Sequence, residues 1–175
     1  MNSIEEFDSI VRASLESLAL ELKGNEWKGR REREVISLFC FGHLLKYCQA
    51  GSVLSDPTQI GIEVAVPQID NHGALTGRAP QKRQVCKDVV IWPKARMVSW
   101  DDDGRATVRP RCVIEWKHNE KRISLYDIQW LREFSALSSS FVGFAVCTRR
   151  PPREFTLSCT RVFNGELQKH WLHIA

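Results

Sequence analysis

Two short apolar segments carry charged residues whose types and spacing could do chemistry together. In the segment 111–117, Glu115 and Lys117 are two residues apart, so in a β-strand their side chains lie on the same face. In the segment 85–92, Asp88 interrupts a run of apolar residues. An aspartate is rare in strands and costly to bury unpaired, so we expect a lysine or a bound cation beside it.

These residue types match the needs of phosphodiester hydrolysis. The reaction uses a hard cation that neutralises phosphate oxygens and generates hydroxide, and such cations select carboxylate and carbonyl oxygens. Asp88 and Glu115 would supply the carboxylates. Lys117 would lie beside the same cation, where it can orient the attacking water or stabilise charge that builds on the phosphate. The pattern therefore predicts a metal-dependent site made of these three residues.

The elements before Asp88 are predicted to be two helices, a strand and a loop. Apolar residues recur at steps of three and four over residues 4–22, which predicts a helix that ends near Gly24. A second, strongly apolar helix follows Asn25 and stops before residue 51. The polar, aperiodic residues 69–84 favour a mobile loop. Between the second helix and this loop, the alternation of apolar residues predicts a strand with one face formed by Ile60, Ile62, Val64 and Val66.

The elements after Asp88 complete an α/β arrangement. Asp103-Gly104 marks the turn of a small hairpin, and Ser124 caps a helix that runs through Leu137. Asn164-Gly165 and Pro151-Pro152 are turn signals between later strands. The strands predicted around these features are 85–92, 111–117, 141–147, 154–163 and 167–174. We expect a single domain over residues 1–175 in which helices flank a central mixed sheet.

In this order, a helix, a strand, Asp88 on the next strand, Glu115-Trp116-Lys117 on a later strand and a following helix resemble the PD-(D/E)XK superfamily of restriction-endonuclease-like enzymes. The resemblance covers roughly residues 27–147, and its motifs are short. One departure is that Lys87, instead of proline, precedes the aspartate. The resemblance implies a restriction-endonuclease-like core with two N-terminal helices. It also implies a nuclease that uses Mg²⁺ or Mn²⁺, most readily on DNA.

The resemblance also assigns roles to individual residues. It implies that Asp88, Glu115 and the backbone carbonyl of Trp116 are metal ligands and that Lys117 is the catalytic lysine. The residues given a weaker or supporting place are Glu32, Glu63 and Gln129. Apart from the resemblance, His118 directly follows the lysine and could serve as a proton carrier, although a lone histidine is more typical of a surface or hydrogen-bonding residue.

Members of the superfamily often add a glutamate from the preceding helix, and Glu34 is the best match. It lies on the helical row of Trp27, Leu38, Phe41 and Leu45, a largely apolar face on which a carboxylate is out of place. The alternative is that Glu34 is a solvated helix charge or a partner for Arg31.

The charge pattern allows nucleic acid as a partner. The formal net charge is +4, and the cations cluster within residues 28–33, 82–87, 105–122 and 149–153. A basic face attracts polyanions, although such runs are also typical of solvated surfaces. The residues predicted to contact nucleic acid, with DNA favoured, are Lys82, Arg83, Lys87, Lys121 and Arg122.

The N-terminus lacks the basic start and apolar run of a signal peptide, and no stretch approaches the roughly 20 apolar residues of a membrane span. We therefore expect a cytoplasmic protein without a membrane partner. The six cysteines contain no CxxC pair, which favours reduced, buried thiols.

Other interpretations remain open. Glu115 and Lys117 would form a surface ion pair if their strand were half exposed, with Asp88 on the polar side of its own strand. The function would then be a catalytically silent nucleic-acid-binding or assembly subunit, or an interaction module that docks through an exposed tryptophan-rich edge. A homodimer or a larger protein partner is compatible with the sequence.

Overall fold

The structure is a computed structural model that describes residues 3–24, 31–70, 72, 74–76, 85–120, 122–150 and 155–175. It is mixed α/β, as predicted. In chain order the elements are α1 (Ser3–Gly24), α2 (Glu32–Leu38), a π turn (Phe39–His43), a 3-10 turn (Leu44–Tyr47), a second 3-10 turn (Pro57–Gln59), β1 (Ile60–Val66), β2 (Gln68–Ile69), β3 (Leu75–Thr76), β4 (Val85–Ile91), β5 (Cys112–His118), α3 (Leu125–Ala136), β6 (Val142–Arg149), β7 (Thr156–Phe163) and β8 (Glu166–Ile174).

Six strands form one mixed sheet in the order β1-β4-β5-β6-β7-β8. Strands β5 and β6 are parallel, and the other neighbouring pairs are antiparallel. A parallel pair needs a long crossover, which α3 provides between β5 and β6. Asp88 and Glu115 are therefore carried by two neighbouring strands inside the sheet, β4 and β5, as the sequence predicts.

The helices cover both faces of the sheet. On one face, α1 and the segment after it pack on β5 through contacts that include Phe39, Ile114 and Trp116. On the other face, Leu131 of α3 belongs to an apolar layer with Val113 of β5. Because β5 is covered on both sides, polar groups on it are removed from water unless they lie near its end.

The expectation of two N-terminal helices is matched only in part. The long helix α1 has the predicted spacing of buried residues and ends at Gly24. The predicted start of the second helix at Asn25 lies outside the described residues. What the structure describes is the seven-residue α2, which continues as a π turn and a 3-10 turn. None of the described helices is long and apolar enough to cross a membrane.

The predicted apolar row on the second helix is wrong. Phe41, which the row places in the core, is 65% exposed. The buried side chains of the segment are Val35, Ile36, Phe39, Cys40, His43 and Leu44. A π turn holds an extra residue, so it rotates the following side chains relative to a regular helix. Glu34 itself is exposed and does not lie on a buried face.

The prediction that β1 presents one apolar face is also wrong. Glu63 has a positive φ of 53°, a left-handed conformation that interrupts the alternation of a strand. Ile60 and Ile62 accordingly pack with the layer of α1 and α2. Val64 and Val66 belong to the layer of α3 on the opposite face.

The predicted turns are present where the structure describes them. At Asn164 and Gly165 both φ angles are positive, 51° and 77°, between β7 and β8. The Asp103-Gly104 turn is closed by the backbone N–H of Gly104 to the carbonyl of Asp101. The flanking hairpin amounts to a single bridge, Trp100 to Ala106. The Pro151-Pro152 turn lies outside the described residues, and the predicted loop 69–84 includes the two-residue strand β3.

Most of the cysteines and tryptophans lie in the interior. All six cysteines are free thiols, and four are buried, whereas Cys86 is exposed. Trp92, Trp116 and Trp130 are buried, so these three do not contribute to an exposed tryptophan-rich edge.

Candidate active site

The candidate site lies where β4 and β5 separate. Their backbone pairing runs from Ile91↔Cys112 to Val89↔Ile114. Beyond that point the backbone N–H of Trp116 donates to Oδ2 of Asp88 at 2.7 Å. The Asp88 carboxylate thus accepts a hydrogen bond from β5 at a point where the backbones of β4 and β5 no longer pair. This contact fixes Asp88 beside the Glu115-Trp116-Lys117 segment.

Glu115 is held by Lys87, the residue that precedes the aspartate. The ammonium group of Lys87 donates to Oε1 of Glu115. It also lies 4.0 Å from Oδ1 of Asp127 and 4.1 Å from the centroid of the Trp130 ring. Both members of the pair are buried, with 0% of Lys87 and 4% of Glu115 exposed.

The burial of Lys87 corrects the prediction that this residue contacts nucleic acid. A fully buried ammonium group has no surface that a phosphate backbone could reach. Its side chain serves instead as the buried partner of Glu115, which offsets the cost of placing a carboxylate inside the sheet.

Lys117 is held by the helix that precedes the sheet. Its ammonium group donates to Oε1 of Glu32 at 3.0 Å and to the backbone carbonyl of Trp116 at 2.8 Å. The second oxygen of Glu32 accepts from the backbone N–H of His118 at 3.0 Å. Glu32 therefore joins α2 to the end of β5 and sets the position of the lysine.

The structure brings Glu32, rather than Glu34, to the site. The carboxylate of Glu34 accepts from the backbone N–H of Arg31 at 3.3 Å in a capping box at the start of α2. This is the alternative that the sequence left open for Glu34. The choice of Glu34 rested on the apolar row, which the π turn removes.

His118 is hydrogen-bonded within the protein. Its Nδ1 lies 2.9 Å from the hydroxyl of Thr148, which also accepts from the indole N–H of Trp116 at 3.0 Å. Burial lowers the pKa of His118, against the opposing charge of Glu32. The imidazole is therefore neutral at pH 7, and Thr148 joins it to the buried Trp116.

Glu115 and Asp88 retain protons more strongly than exposed acids do. Burial raises the pKa of Glu115 to about 7, with Lys87 opposing and the charges of Asp88 and Asp127 adding to the shift. Burial also raises the pKa of Asp88, although the hydrogen bond from Trp116 and the charge of Lys117 oppose it.

The pKa of Lys117 is shifted in the direction of the charged form. Burial alone would lower it, but the hydrogen bond and charge of Glu32, together with Asp88 and Asp127, outweigh burial and raise it. The ammonium group is therefore charged at neutral pH and available to a phosphate or a water.

The charges of this cluster do not balance without a further cation or protons. Four carboxylates, from Glu32, Asp88, Glu115 and Asp127, meet two ammonium groups, from Lys87 and Lys117. With all groups ionised, four negative and two positive charges leave a formal charge of −2. A divalent cation would neutralise that excess.

The donors fit a hard cation in type, but two of them already accept hydrogen bonds from lysines. Asp88 and Glu115 supply carboxylate oxygens and Trp116 a carbonyl. Lys87 contacts one oxygen of Glu115, and Lys117 contacts the Trp116 carbonyl. Within the described part of the chain, no group of three or more histidine, cysteine, aspartate or glutamate residues is arranged to hold a metal ion.

The remaining predicted residues lie away from this cluster or outside the described ranges. Glu63 pairs with Arg33 on the surface, and Gln129 donates to Glu133 at 2.6 Å on α3. Arg122 is exposed just before α3. Lys82, Arg83 and Lys121 lie outside the described residues.

Sequence reasoning missed Lys87 and Asp127 as members of the site. Lys87 had a signal, because a lysine in the apolar run of residues 85–92 needs a buried partner as much as Asp88 does. Asp127 had no such signal, because an acidic residue at this position also fits the N-terminus of a helix. The structure shows that Ser124 caps α3 through the N–H of Tyr126.

Comparisons of the chain with protein-family models, with curated proteins and with solved structures found no match.

Proposed function

We propose that this protein is a nuclease of the PD-(D/E)XK type that hydrolyses phosphodiester bonds, most readily in DNA, with Mg²⁺ or Mn²⁺. The observation that carries the proposal is the convergence of Asp88, Glu115 and Lys117 where β4 and β5 separate, with Trp116 between them. The order of elements supports it, since a helix and a strand precede these strands and a helix with a parallel strand follows.

In this proposal the side chains have separate tasks. Asp88, Glu115 and the Trp116 carbonyl would hold the cation, which when bound neutralises phosphate oxygens and lowers the pKa of a bound water. Lys117 would orient the attacking water or stabilise charge on the phosphate. Lys87 keeps Glu115 in place within the sheet.

The proposal also concerns the binding partners of the protein and its compartment. Nucleic acid would be held by basic surface residues such as Arg122 through its phosphates. The six free thiols suit a reducing compartment such as the cytoplasm. A homodimer or a larger partner would supply sequence specificity, which the site itself does not provide.

The test is cleavage of supercoiled and single-stranded DNA with Mg²⁺ or Mn²⁺, against an EDTA control. Asp88→Asn is a suitable variant because an amide oxygen can still accept from Trp116 while the charge is lost. Lys117→Met removes the ammonium group. We expect both variants to fold and to lose cleavage, and cleavage that survives either of them or EDTA would refute the assignment.

Glu32→Gln and Glu34→Gln form a matched pair on one helix. Lys117 and His118 contact Glu32, so Glu32→Gln should weaken cleavage. Glu34→Gln changes a capping group outside the carboxylate cluster and should leave cleavage near the wild-type rate. The reverse order would restore the original assignment of Glu34.

One observation favours a second candidate, a catalytically silent nucleic-acid-binding or assembly subunit with the same fold. Lysines already contact Glu115 and the Trp116 carbonyl, two of the three proposed metal ligands. Calorimetric titration with Mn²⁺ separates the candidates. Binding that disappears in Asp88→Asn supports the nuclease. DNA binding with a steep salt dependence, but neither Mn²⁺ binding nor cleavage, supports the silent subunit.

A further inference from the structure

A pocket of about 260 Å³ lies between α3 and β2, beside the candidate active site. The residues that matter for its chemistry are Gln68, Ile69, Tyr126, Gln129, Trp130 and Glu133. Trp130 connects the pocket with the site, because the Lys87 ammonium group lies over its ring. The proposed nuclease function assigns no role to this pocket.

The pocket offers an aromatic side chain and hydrogen-bond acceptors. Tyr126 is 62% exposed, so its ring is available for stacking. The side-chain amide of Gln129 donates to Oε1 of Glu133 at 2.6 Å. This leaves the carbonyl oxygen of Gln129 and the second oxygen of Glu133 as acceptors. A fitting ligand has a flat aromatic face and N–H donors.

The described lining of the pocket carries a negative charge. Its described lining residues include the carboxylate of Glu133 and no lysine or arginine. A flat heterocycle with N–H groups, such as a nucleobase, matches both the exposed ring and the acceptors. Carboxylates are established partners of base amino groups.

The position of the pocket connects it to the carboxylate cluster. Tyr126 lines the pocket, and the next residue, Asp127, lies 4.0 Å from Lys87 in the cluster. The first turn of α3 therefore touches the pocket and the candidate site. One nucleic-acid strand could contact both.

We propose that this pocket binds an unpaired nucleobase with N–H donors, such as guanine, and so directs the protein to single-stranded segments. A base within a duplex has its faces stacked and its pairing edge occupied, so it must be unpaired to enter such a pocket. This inference rests on the proposed nuclease function and adds to it the class of substrate.

The experiment measures binding by fluorescence anisotropy in EDTA, so that no cleavage occurs. The probes are a labelled thymine strand with one central guanine, an all-thymine strand, and a duplex in which the same guanine is paired. The variants are Tyr126→Ala and Glu133→Gln. The matched control is Phe41→Ala, which removes an aromatic side chain of similar exposure, 65%, after α2.

We expect the guanine strand to bind more tightly than the other two probes. Tyr126→Ala should weaken its binding about tenfold, the usual loss for a stacked base. Glu133→Gln should reduce the preference for guanine over thymine without weakening the thymine strand, and Phe41→Ala should change nothing. Free guanosine monophosphate should compete only weakly. If it competes as well as the strand, the pocket holds a free nucleotide and the proposal fails.

Other outcomes overturn the proposal as well. These are wild-type affinity in Tyr126→Ala, a duplex that binds as tightly as the guanine strand, or no binding of any probe. The nuclease function fails separately. If the strand binds as expected but is never cut with Mg²⁺ or Mn²⁺, the pocket assignment stands and the nuclease assignment does not. If the duplex is cut equally well by wild type and Tyr126→Ala, the nuclease assignment stands and the pocket assignment does not.

Discussion

Replacing Lys87 by methionine tests the charge pairing at the centre of the site. Methionine keeps an unbranched chain of similar length over Trp130 but removes the ammonium group that contacts Glu115. Glu115, only 4% exposed, would then be a buried carboxylate without this cation. Removing one member of such a pair costs about 3–5 kcal/mol. At pH 8, where Glu115 is largely ionised in wild type, we expect a loss of unfolding free energy of up to that size, because the carboxyl must then stay charged without Lys87 or take up a proton.

The assay is urea unfolding of the metal-free protein, followed by tryptophan fluorescence. With a slope of roughly 2 kcal/mol per molar urea, the midpoint should fall by about 2 M in Lys87→Met. At pH 5 the loss should be smaller, because Glu115 has a pKa of about 7 and is protonated there. The double variant Lys87→Met/Glu115→Gln should recover to within about 1 kcal/mol of wild type at pH 8, since both members of the buried pair are then uncharged.

Two results would refute this reasoning. If Lys87→Met loses the same free energy at pH 5 and pH 8, the charge of Glu115 is not what Lys87 neutralises. If the double variant is as unstable as the single one, the loss comes from packing on Trp130 rather than from an unpaired carboxylate.

Three further predictions concern stability. Because the folded-state pKa of Glu115 is raised from 4.5 to about 7, the folded protein keeps a proton that the unfolded chain releases, so Glu115 makes stability fall as pH rises from 4.5 through 7. The midpoint difference between wild type and Glu115→Gln should therefore change over this range, and a constant difference would contradict the shift. Glu63→Val should lose about 1–2 kcal/mol, because a β-branched residue is strained at the positive φ of position 63. Glu63→Gly should lose less than about 1 kcal/mol, as the exposed pair with Arg33 contributes little, and equal losses in the two variants would exclude strain as the cause. Gly143→Ala should lose about 1–3 kcal/mol, since the new methyl would lie 2.8 Å from Leu131 where α3 packs on β6. Thermal unfolding tests this in a double-mutant cycle. Gly143→Ala should cost less in a Leu131→Ala background than in wild type, and equal costs in the two backgrounds would exclude the clash.

The candidate site could be predicted in outline because its main residues lie on regular strands. The period of two places Glu115 and Lys117 on one side of β5, and an aspartate within an apolar run marks β4. What could not be predicted is which oppositely charged group each residue meets. Lys87 contacts Glu115 across the strands, and Lys117 reaches Glu32 on a helix 85 residues earlier.

Elements with local signals could be predicted from the amino-acid sequence. The three-and-four spacing of apolar residues defined α1, Ser124 defined the start of α3, and Asn164-Gly165 defined the turn before β8. These features depend on contacts within a few residues, so the chain encodes them directly.

The buried side of each element and the pairing of its charges depend on contacts between distant parts of the chain. Glu32 rather than Glu34 reaches the lysine, the π turn after α2 interrupts the predicted apolar row, and the left-handed backbone at Glu63 changes the face of β1. A one-residue shift in a helix or strand redirects every later side chain, yet it leaves the composition and the periodicity of each half intact. The burial of Lys87 also depends on tertiary structure, because it requires a carboxylate and an aromatic ring from two other elements.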